Sequence, residues 1–393
     1  MNQNIDFIPF ALPSLGTEEE EAVLRILRSG WLTTGSETKL FEEEFARYCG
    51  VPHALAVNSA TAGLHLALDA LGVHSGDWVI TTPYTFTATA AVVKHVGADP
   101  LFVDIEKESF NISPEKIRHA LTVYGNTRKI RGIIPVHIGG EPCRMEEIHA
   151  IAREHGLFVL EDAAHAFPSR ASWGFAGTAG NAGVYSFYAT KTITTGEGGM
   201  VVTSDPEISR RVSCMRLHGI DREIWTRYTS STASWQYAVV EPGYKYNLTD
   251  IASAMGRVQL RKAEEFLNLR TAIARKYTEA FQEKEYLQVP PNTEGHTWHL
   301  YLLRIVPQKL RISRDEYIEK LREKGIGTSV HYIPLHLHPY WKQRYGLNEN
   351  DFPESYKKYR EVISLPIYPS LTEEAIHRII QAVLQIGDFY FKF

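Results

Sequence analysis

Short apolar runs alternate with amphipathic stretches between about residue 53 and residue 205. The run HALAV leads into LHLALDAL, WVITTP into TFTATAAVVKHVG, PLFVDI into SPEKIRHAL, and GIIPVHI into MEEIHAIAREHG. Strands that alternate with helices in this way are typical of parallel βαβ units. Two further runs, GLFVLED at 156–162 and GGMVVTSD at 198–205, extend the predicted sheet. The pattern therefore predicts an α/β fold built on a parallel sheet.

A different pattern follows residue 250. A long helical stretch, IASAMGRVQLRKAEEFLNLRTAIARKYTEAFQ, precedes the apolar run WHLYLLRIV and the helix SRDEYIEKLREKG, and a second run, GTSVHYIPLH, precedes more helix. This order predicts a smaller α/β layer, so we expect a large domain with its N-terminal segment at residues 1–250 and a small C-terminal domain at residues 251–393. Residues 219–246 have weak periodicity, which is typical of a functional loop or an intersubunit segment.

Composition and charge exclude several classes of protein. The chain has 393 residues, 44% of them hydrophobic and 22% charged, and a formal net charge of −4. It is therefore globular and has no general attraction for nucleic acid. No stretch approaches the roughly 18 apolar residues needed to span a bilayer, and the N-terminus lacks the basic and apolar segments of a signal peptide. We expect a cytoplasmic protein with neither membrane nor nucleic-acid partners.

The sequence predicts no disulfide framework and no metal site. The three cysteines are scattered and lack CxxC spacing, which indicates reduced, packed thiols. His331, His336 and His338 suggest imidazole ligands, but Pro339 and the lack of nearby carboxylates disfavour a metal.

Residues that end the strands of a parallel sheet border the crevice in which ligands bind. Four segments occupy such positions: NSATAG at 58–63, PYTF at 83–86, EDAAH at 161–165 and SFYATK at 186–191. We therefore expect these segments to build the site.

The first of these segments places small residues before a helix that is predicted to start near Leu64. Its backbone N–H groups and the Thr61 hydroxyl can face an anion, and the helix dipole favours a phosphate there. Plain N-capping is the alternative interpretation. The segment is not a Walker A loop, and no GxGxxG motif follows the first strand, which argues against ATP and dinucleotide binding.

Asp162 and Lys191 are the candidate charged groups. Asp162 ends the run FVLED, where an unpaired carboxylate is costly to bury. A pyridinium nitrogen would neutralise this carboxylate. Capping of the next helix is the alternative interpretation of Asp162. Lys191 lies among small and hydroxyl residues in SFYATKTITTGEGG. Burial there would keep the amine neutral for imine formation with an aldehyde, although most lysines are solvated.

The ordered motifs carry a resemblance to a known family. NSATAG, PYTFTAT, EDAAHA and SFYATK followed by GEGG occur in this order, and GYKYNLTD and VHYIPLH continue the series. Together they resemble the DegT/DnrJ/StrS-type nucleotide-sugar aminotransferases from about residue 30 to residue 369. The resemblance implies pyridoxal 5′-phosphate as cofactor and PLP-transferase fold type I, with a mostly parallel seven-stranded sheet flanked by helices in the large domain. It also implies a homodimer with shared active sites.

The resemblance assigns roles around the cofactor ring. Lys191 would form the Schiff base and move the proton, Asp162 would pair with the pyridine nitrogen, His165 would hydrogen-bond near the phenolic oxygen, and Phe86 would stack on the ring. From the residues alone, Phe86 as part of the core and His165 as a satisfied polar residue remain alternatives.

The resemblance also assigns residues to the phosphate. Ala60, Thr61 and Ser186 would hold it within one subunit, and Asn247 would reach it across the dimer interface. A turn cap is the alternative interpretation of Ser186.

The implied reaction moves an amino group from L-glutamate to a keto-sugar linked to UDP or dTDP. The strings VHYIPLHLHPYW and VVEPGYKYN are closest to members that aminate the 4-keto position of 6-deoxy sugars or of UDP-linked pentoses. Packing or surface roles are the alternatives for each residue proposed to contact this substrate. These residues are Trp31, Thr34, Tyr84, Arg227, His331 and Tyr332.

The sequence features bear on three rival functions. A non-catalytic regulatory protein that binds the cofactor on the same scaffold is the main alternative, although no DNA-binding helix pair or basic face is visible. Related sugar dehydratases that replace the Schiff-base lysine with histidine are disfavoured by Lys191. A nicotinamide-dependent oxidoreductase lacks its glycine fingerprint here.

Overall fold

The computed structural model describes residues 7–220 and 237–392, and its largest sheet has seven strands. These strands are β1 (His53–Val57), β2 (Asp77–Thr81), β3 (Asp99–Phe102), β4 (Lys129–Ile133), β5 (Phe158–Asp162), β8 (Ala182–Ser186) and β9 (Gly199–Thr203), and a separate hairpin holds β6 (Arg170–Ala171) and β7 (Gly174–Phe175). The order is β1-β9-β8-β5-β4-β2-β3, and β9 alone runs antiparallel to its neighbours. The predicted mostly parallel sheet is therefore confirmed.

Helices cover both faces of this sheet, as its buried strands require. They are α1 (Thr17–Ser29), α2 (Ser36–Cys49), α3 (Ala60–Ala70), α4 (Thr87–His95), α5 (Pro114–Tyr124), α6 (Met145–His155), α7 (Pro206–Met215) and α8 (Asp250–Arg261). Helix α3 can lie close to the sheet because Gly63 has no side chain: a Cβ atom there would come within 2.7 Å of Val184 Cγ1. Packing on the sheet therefore fixes the position of α3. The helix begins at Ala60, four residues before the predicted start at Leu64.

A second, antiparallel sheet lies in the C-terminal part. It has the order β10-β11-β12, formed by β10 (Leu287–Gln288), β11 (Tyr301–Ile305) and β12 (Val362–Leu365). The helices of this part are α9 (Ala263–Phe281), α10 (Arg314–Glu323), α11 (Pro339–Tyr345), α12 (Pro353–Glu361) and α13 (Glu373–Tyr390). Buried aromatic side chains, including Tyr277, Phe281, Tyr301 and Tyr317, fill the core between them.

Two local features differ from the sequence prediction. The long helical stretch after residue 250 is two helices that meet at Lys262. The run GTSVHYIPLH at 327–336 forms no strand in the described chain: it pairs through an isolated bridge between Ser329 and Ser364 and ends in a short 3-10 turn at Leu335–Leu337. The strand beside β11 is instead β12. Helix α8 packs against α1 and α2, and the domain boundary at residue 250 stays a prediction.

Polar contacts join the two parts of the molecule. The Asp104 carboxylate, two residues beyond β3, accepts hydrogen bonds from the N–H groups of Glu354 and Ser355 at the start of α12 (2.9 and 3.0 Å). Lys358 on the same helix donates to the carbonyl oxygens of Glu106 (2.7 Å) and Ser109.

Within the described part of the chain, no helix is both long and apolar enough to cross a membrane.

Candidate active site

A cavity of about 480 Å³ lies where the carboxyl ends of the main sheet meet the C-terminal part. Its volume is in the range of small-molecule sites. The structure brings most of the predicted site residues together here. The predicted residues that line this cavity are Ala60, Thr61, Phe86, Asp162, His165, Ser186, Lys191, His331 and Tyr332.

The start of α3 forms one wall of the cavity. The Ser59 hydroxyl caps the helix by accepting the N–H of Ala62 (3.1 Å). Among the described residues, the N–H groups of Ala60 and Thr61 have no hydrogen-bond acceptor. Gly199 on β9 allows the close approach at this point, because a Cβ atom there would lie 2.7 Å from the Ala60 nitrogen. Free N–H groups at a helix start next to a cavity are suited to a phosphate.

Asp162 presents a buried carboxylate to the same cavity. It is the last residue of β5 and is 4% exposed. Its Oδ2 accepts the hydroxyl of Thr89 (2.8 Å) and its Oδ1 the N–H of Ala164 (3.2 Å). Burial raises the pKa of Asp162, and these two hydrogen bonds and the charge of Lys191 oppose the rise. A cationic ligand group would stabilise the ionised form further.

Lys191 supplies the amine of the cavity. It lies beyond the end of β8, and its backbone N–H donates to the carbonyl oxygen of Tyr188 (2.9 Å). Burial lowers the pKa of Lys191 to about 8, although the Asp162 carboxylate acts in the opposite direction. An amine with this pKa is partly neutral near physiological pH and can therefore act as a nucleophile.

His165 has both ring nitrogens engaged by protein groups. Nδ1 accepts the N–H of Gly139 (3.3 Å), so Nε2 carries the proton and donates it to the hydroxyl oxygen of Tyr332 (2.8 Å). Burial lowers the pKa of His165 well below its ordinary value, and the positive charge of Lys191 adds to the effect. The neutral imidazole thus holds Tyr332, whose own hydroxyl proton is left to reach a ligand.

Two further histidines border the amine. His299, which the sequence analysis did not single out, is 6% exposed, and its ring centroid lies 4.5 Å from that of His165. His331 Nδ1 is 2.9 Å from the Ser364 hydroxyl, and burial lowers the pKa of His331 to about 4. Burial also lowers the pKa of His299 well below its ordinary value, so both side chains are neutral and add no positive charge next to Lys191.

Phe86 and Ser186 complete the predicted cofactor contacts on the cavity wall. Phe86 is 59% exposed and precedes α4, so the interpretation as a core residue is wrong. Its ring centroid lies 6.2 Å from that of Tyr332. The Ser186 hydroxyl accepts the N–H of Tyr188 (3.4 Å), and the residue lines the cavity as well. The ring-stacking and phosphate roles stay predictions.

Tyr84 is not a lining residue of the cavity. It is fully buried, and its hydroxyl donates to the carbonyl oxygen of His331 (2.8 Å). The prediction that Tyr84 borders the sugar is therefore wrong. Tyr84 instead holds the backbone of the 331–332 segment in place. Arg227, another predicted substrate contact, lies outside the described residues.

Three predicted residues form a separate cluster away from the cavity. The Asn247 amide donates to the Thr34 hydroxyl (2.6 Å) and accepts from Lys245 Nζ (2.5 Å), while Trp31 Nε1 donates to the carbonyl oxygen of Thr34 (3.2 Å). None of these residues lines the cavity that holds Lys191.

The geometry defines a class of site. A nucleophilic amine, a buried carboxylate and a helix start with free N–H groups surround one cavity. These groups match the aldehyde, the ring nitrogen and the phosphate of pyridoxal phosphate, so the residues present fit that cofactor. The fold and the site together are those of a pyridoxal-phosphate enzyme of fold type I.

The chain belongs to the DegT/DnrJ/EryC1/StrS aminotransferase family, whose sequence profile matches residues 13–384. The spore coat polysaccharide biosynthesis protein SpsC of Bacillus subtilis strain 168 is 44% identical over 383 residues, which are 97% of each chain. PseC of Helicobacter pylori, an aminotransferase involved in the biosynthesis of pseudoaminic acid, is 29% identical and has a TM-score of 0.89 over 98% of this chain and 100% of PseC. The PMP form of Streptococcus pneumoniae Spr1654 has a TM-score of 0.90 at 30% identity, over 97% of this chain and 99% of that chain, and a PLP form is also known.

Family membership confirms the predictions of fold type, enzyme class and cofactor. The protein is an aminotransferase that uses pyridoxal phosphate. The non-catalytic regulatory alternative is correspondingly disfavoured.

Proposed function

We propose that this aminotransferase transfers the amino group of L-glutamate to the 4-keto carbon of a sugar linked to UDP or dTDP. Three observations support a sugar as acceptor: the likeness to SpsC, a polysaccharide biosynthesis protein, the likeness to PseC, and the VHYIPLH segment, which contributes His331 and Tyr332 to the cavity. The single observation that carries the amino-transfer chemistry is the cavity that Lys191 shares with Asp162.

Lys191 has the chemistry to move the proton in this reaction. Pyridoxal phosphate, when bound, supplies the aldehyde and an electron-accepting ring. The Lys191 Nζ, with its pKa lowered to about 8 by burial, would take a proton from the amino-bearing carbon of the donor and return it to the carbon on the other side of the transferred nitrogen. Because His165, His299 and His331 are neutral, the lysine is the cavity's proton carrier near neutral pH.

Asp162 and the α3 start orient the cofactor from opposite ends. The carboxylate of Asp162 would pair with the ring nitrogen and keep it protonated, while the free N–H groups of Ala60 and Thr61, with the hydroxyls of Thr61 and Ser186, would hold the phosphate. Phe86, exposed on the cavity wall, would cover one ring face.

The polar groups that remain in the cavity are suited to sugar hydroxyls. Tyr332 has a hydroxyl proton to donate, and His331 is held by Ser364 through Nδ1, which leaves Nε2 for a ligand. Neutral donors and acceptors of this kind recognise hydroxyl groups without requiring a charge on the substrate.

The proposal includes a homodimer in which Asn247, Trp31 and Thr34 serve the site of the neighbouring subunit. This cluster lies outside the cavity of its own chain, yet Lys245 Nζ and the Asn247 amide nitrogen are hydrogen-bond donors from which a phosphate of the neighbouring subunit's cofactor would accept. The predicted cytoplasmic location is part of the same proposal, because nucleotide-linked sugars are phosphorylated metabolites.

A substrate panel tests the proposal. Purified protein is incubated with ¹⁵N-labelled glutamate and nucleotide-linked 3-keto and 4-keto sugars, and mass spectrometry follows the label into the product. We expect labelled 4-amino sugar, and Lys191→Ala should lower the rate at least about a hundred-fold. Lys320→Ala is the control, since this lysine pairs with Glu323 on the surface and its loss should change nothing. Labelling only at the 3-position, or of none of the sugars, would contradict the proposed acceptor.

A further inference from the structure

Two threonines connect α4 to the Asp162 carboxylate. Thr85 and Thr89 are both buried, and their hydroxyl oxygens are 2.9 Å apart. The Thr89 hydroxyl lies 2.8 Å from Asp162 Oδ2. Both threonines line the cavity that contains Lys191.

The direction of both hydrogen bonds follows from proton counting. A threonine hydroxyl has one proton, and Thr89 donates it to the Asp162 carboxylate. Thr89 therefore has no proton left for Thr85, so Thr85 is the donor in the contact between the two hydroxyls. The result is a directed chain from Thr85 through Thr89 to Asp162.

This chain is not the ordinary behaviour of a helical threonine. In a helix, a threonine hydroxyl usually bonds the carbonyl oxygen three or four residues earlier. The Thr89 hydroxyl instead contacts a carboxylate 73 residues away in the sequence, on β5. The hydrogen bond therefore links α4 to the carboxyl end of β5.

Asp162 has one protein donor on each carboxylate oxygen, Thr89 on Oδ2 and the Ala164 N–H on Oδ1. Two donors fix the plane of the carboxylate and leave lone pairs on both oxygens for a further partner. Hydrogen bonds to the charged form also oppose the tendency of burial to protonate the group.

We propose that Thr89, supported by Thr85, is a positioning residue that keeps the Asp162 carboxylate charged and oriented toward the ring nitrogen of the cofactor. The inference rests on the proposed role of Asp162. Loss of the Thr89 hydroxyl makes the carboxylate more basic, so the proton shared with the ring nitrogen moves toward the carboxylate. The bound ring then loses positive charge and is held less tightly.

Four single variants separate this role from simple packing. Thr89→Val removes the hydroxyl at nearly constant volume, and Thr89→Ser keeps the hydroxyl. Thr85→Val removes only the outer link of the chain. Thr87→Val is the matched control, because Thr87 is an exposed residue of the same helix. Thermal denaturation confirms folding; where Thr89→Val does not fold, Thr89→Ala, which adds no volume, carries the same expectations.

The first measurement is the dissociation constant of pyridoxal phosphate without substrates. We expect Thr89→Val to weaken binding up to about tenfold, because the hydrogen bond to Asp162 also exists in the cofactor-free protein and only its strengthening on binding contributes to the affinity. Thr85→Val should have a smaller effect in the same direction, and Thr89→Ser and Thr87→Val should match the wild type. When Asp162→Asn is already present, Thr89→Val should add little, because Thr89 acts through that carboxylate.

The second measurement is the ¹⁵N chemical shift of cofactor labelled at the ring nitrogen. We expect the protonated signal in the wild type and in Thr89→Ser, and a shift toward the unprotonated value in Thr89→Val. Unchanged binding and an unchanged shift in Thr89→Val would overturn the inference, as would full additivity with Asp162→Asn. Failure of the proposed function looks different: the wild type would then bind the cofactor without transferring the glutamate nitrogen to a sugar.

Discussion

Lys191 and Asp162 modify each other's charge within one buried cavity. Burial lowers the pKa of the amine to about 8 and raises the pKa of the carboxylate, and each group partly reverses the shift of the other. In the cofactor-free protein the Lys191 amine thus exchanges between its charged and neutral forms near pH 8. A ligand that brings a cation to Asp162 and an aldehyde to Lys191 satisfies both groups at once.

The pH dependence of cofactor capture follows from this pair. The neutral, reactive fraction of the amine grows as the pH rises through about 8, so the rate at which cofactor-free protein reacts covalently with pyridoxal phosphate should rise over the same range. Asp162→Asn should move the midpoint to lower pH, because the carboxylate raises the pKa of Lys191. Stopped-flow absorbance between about pH 6 and pH 10 measures both midpoints. A midpoint that stays the same or rises in Asp162→Asn would show that the two groups do not interact.

Sequence motifs located the charged groups of the site but not their supporting partners. Lys191 and Asp162 follow apolar runs, and strand ends of a parallel sheet converge on a crevice. Thr89 and His299 were not predicted, because the sequence does not show that one donates to a carboxylate and the other packs against His165. Tyr84 follows a strand as well, yet tertiary packing buries it and gives its hydroxyl a backbone partner.

At the scale of elements, the contact between β9 and the start of α3 shapes the phosphate end of the cavity. A Cβ atom on Gly199 would lie 2.7 Å from the Ala60 nitrogen and 2.8 Å from the Ser59 carbonyl carbon. Both neighbours are backbone atoms, so they cannot rotate away. The strand can approach only because position 199 has no side chain.

Gly199→Ala should therefore displace the start of α3. We expect weaker binding of pyridoxal phosphate and, because overpacking typically costs about 1–3 kcal/mol, a lower free energy of unfolding. Gly16→Ala is the control, since its Cβ atom would meet nothing closer than 3.7 Å and its φ of −147° suits any residue. Titration of cofactor and denaturant unfolding measure the two effects. Unchanged cofactor affinity in Gly199→Ala would mean that the α3 start does not hold the phosphate.

Periodicity predicted the main sheet well because its first five strands, β1 to β5, are short runs separated by amphipathic helices. Periodicity failed at Lys262, where α8 ends although the surrounding residues favour helix. Helix α8 packs on α1 and α2, whereas α9 packs on α13. These different packing partners explain the break between the two helices. Periodicity also gave GTSVHYIPLH more regular structure than it has, because His331 and Tyr332 are engaged with Ser364 and His165 instead of a strand partner.

At the scale of the whole molecule, the cavity depends on both parts of the chain. The main sheet supplies Lys191 and Asp162, and the C-terminal part supplies His299, His331 and Tyr332. Two contacts hold the two parts together: Asp104, beyond β3, accepts the N–H of Glu354 on α12, and Lys358 on α12 donates to the carbonyl oxygen of Glu106.

Mixing two inactive variants tests the proposed sharing of sites between subunits. Lys191→Ala and Asn247→Ala should each be impaired as homodimers. In a hybrid dimer, one site combines both defects and the other combines an intact Lys191 with an intact Asn247. Random mixing should therefore restore about a quarter of the wild-type activity. An Asn247→Ala protein with full activity, or a mixture no more active than its components, would contradict a shared site.

The most direct test of the central claim is to identify the residue that binds the cofactor covalently. Holoenzyme is reduced with borohydride and digested, and the peptides are analysed by mass spectrometry. We predict that reduced pyridoxal phosphate is attached to Lys191 and that Asp162→Asn lowers its occupancy. Attachment to a different lysine, or equal labelling of Lys191→Ala, would contradict the account.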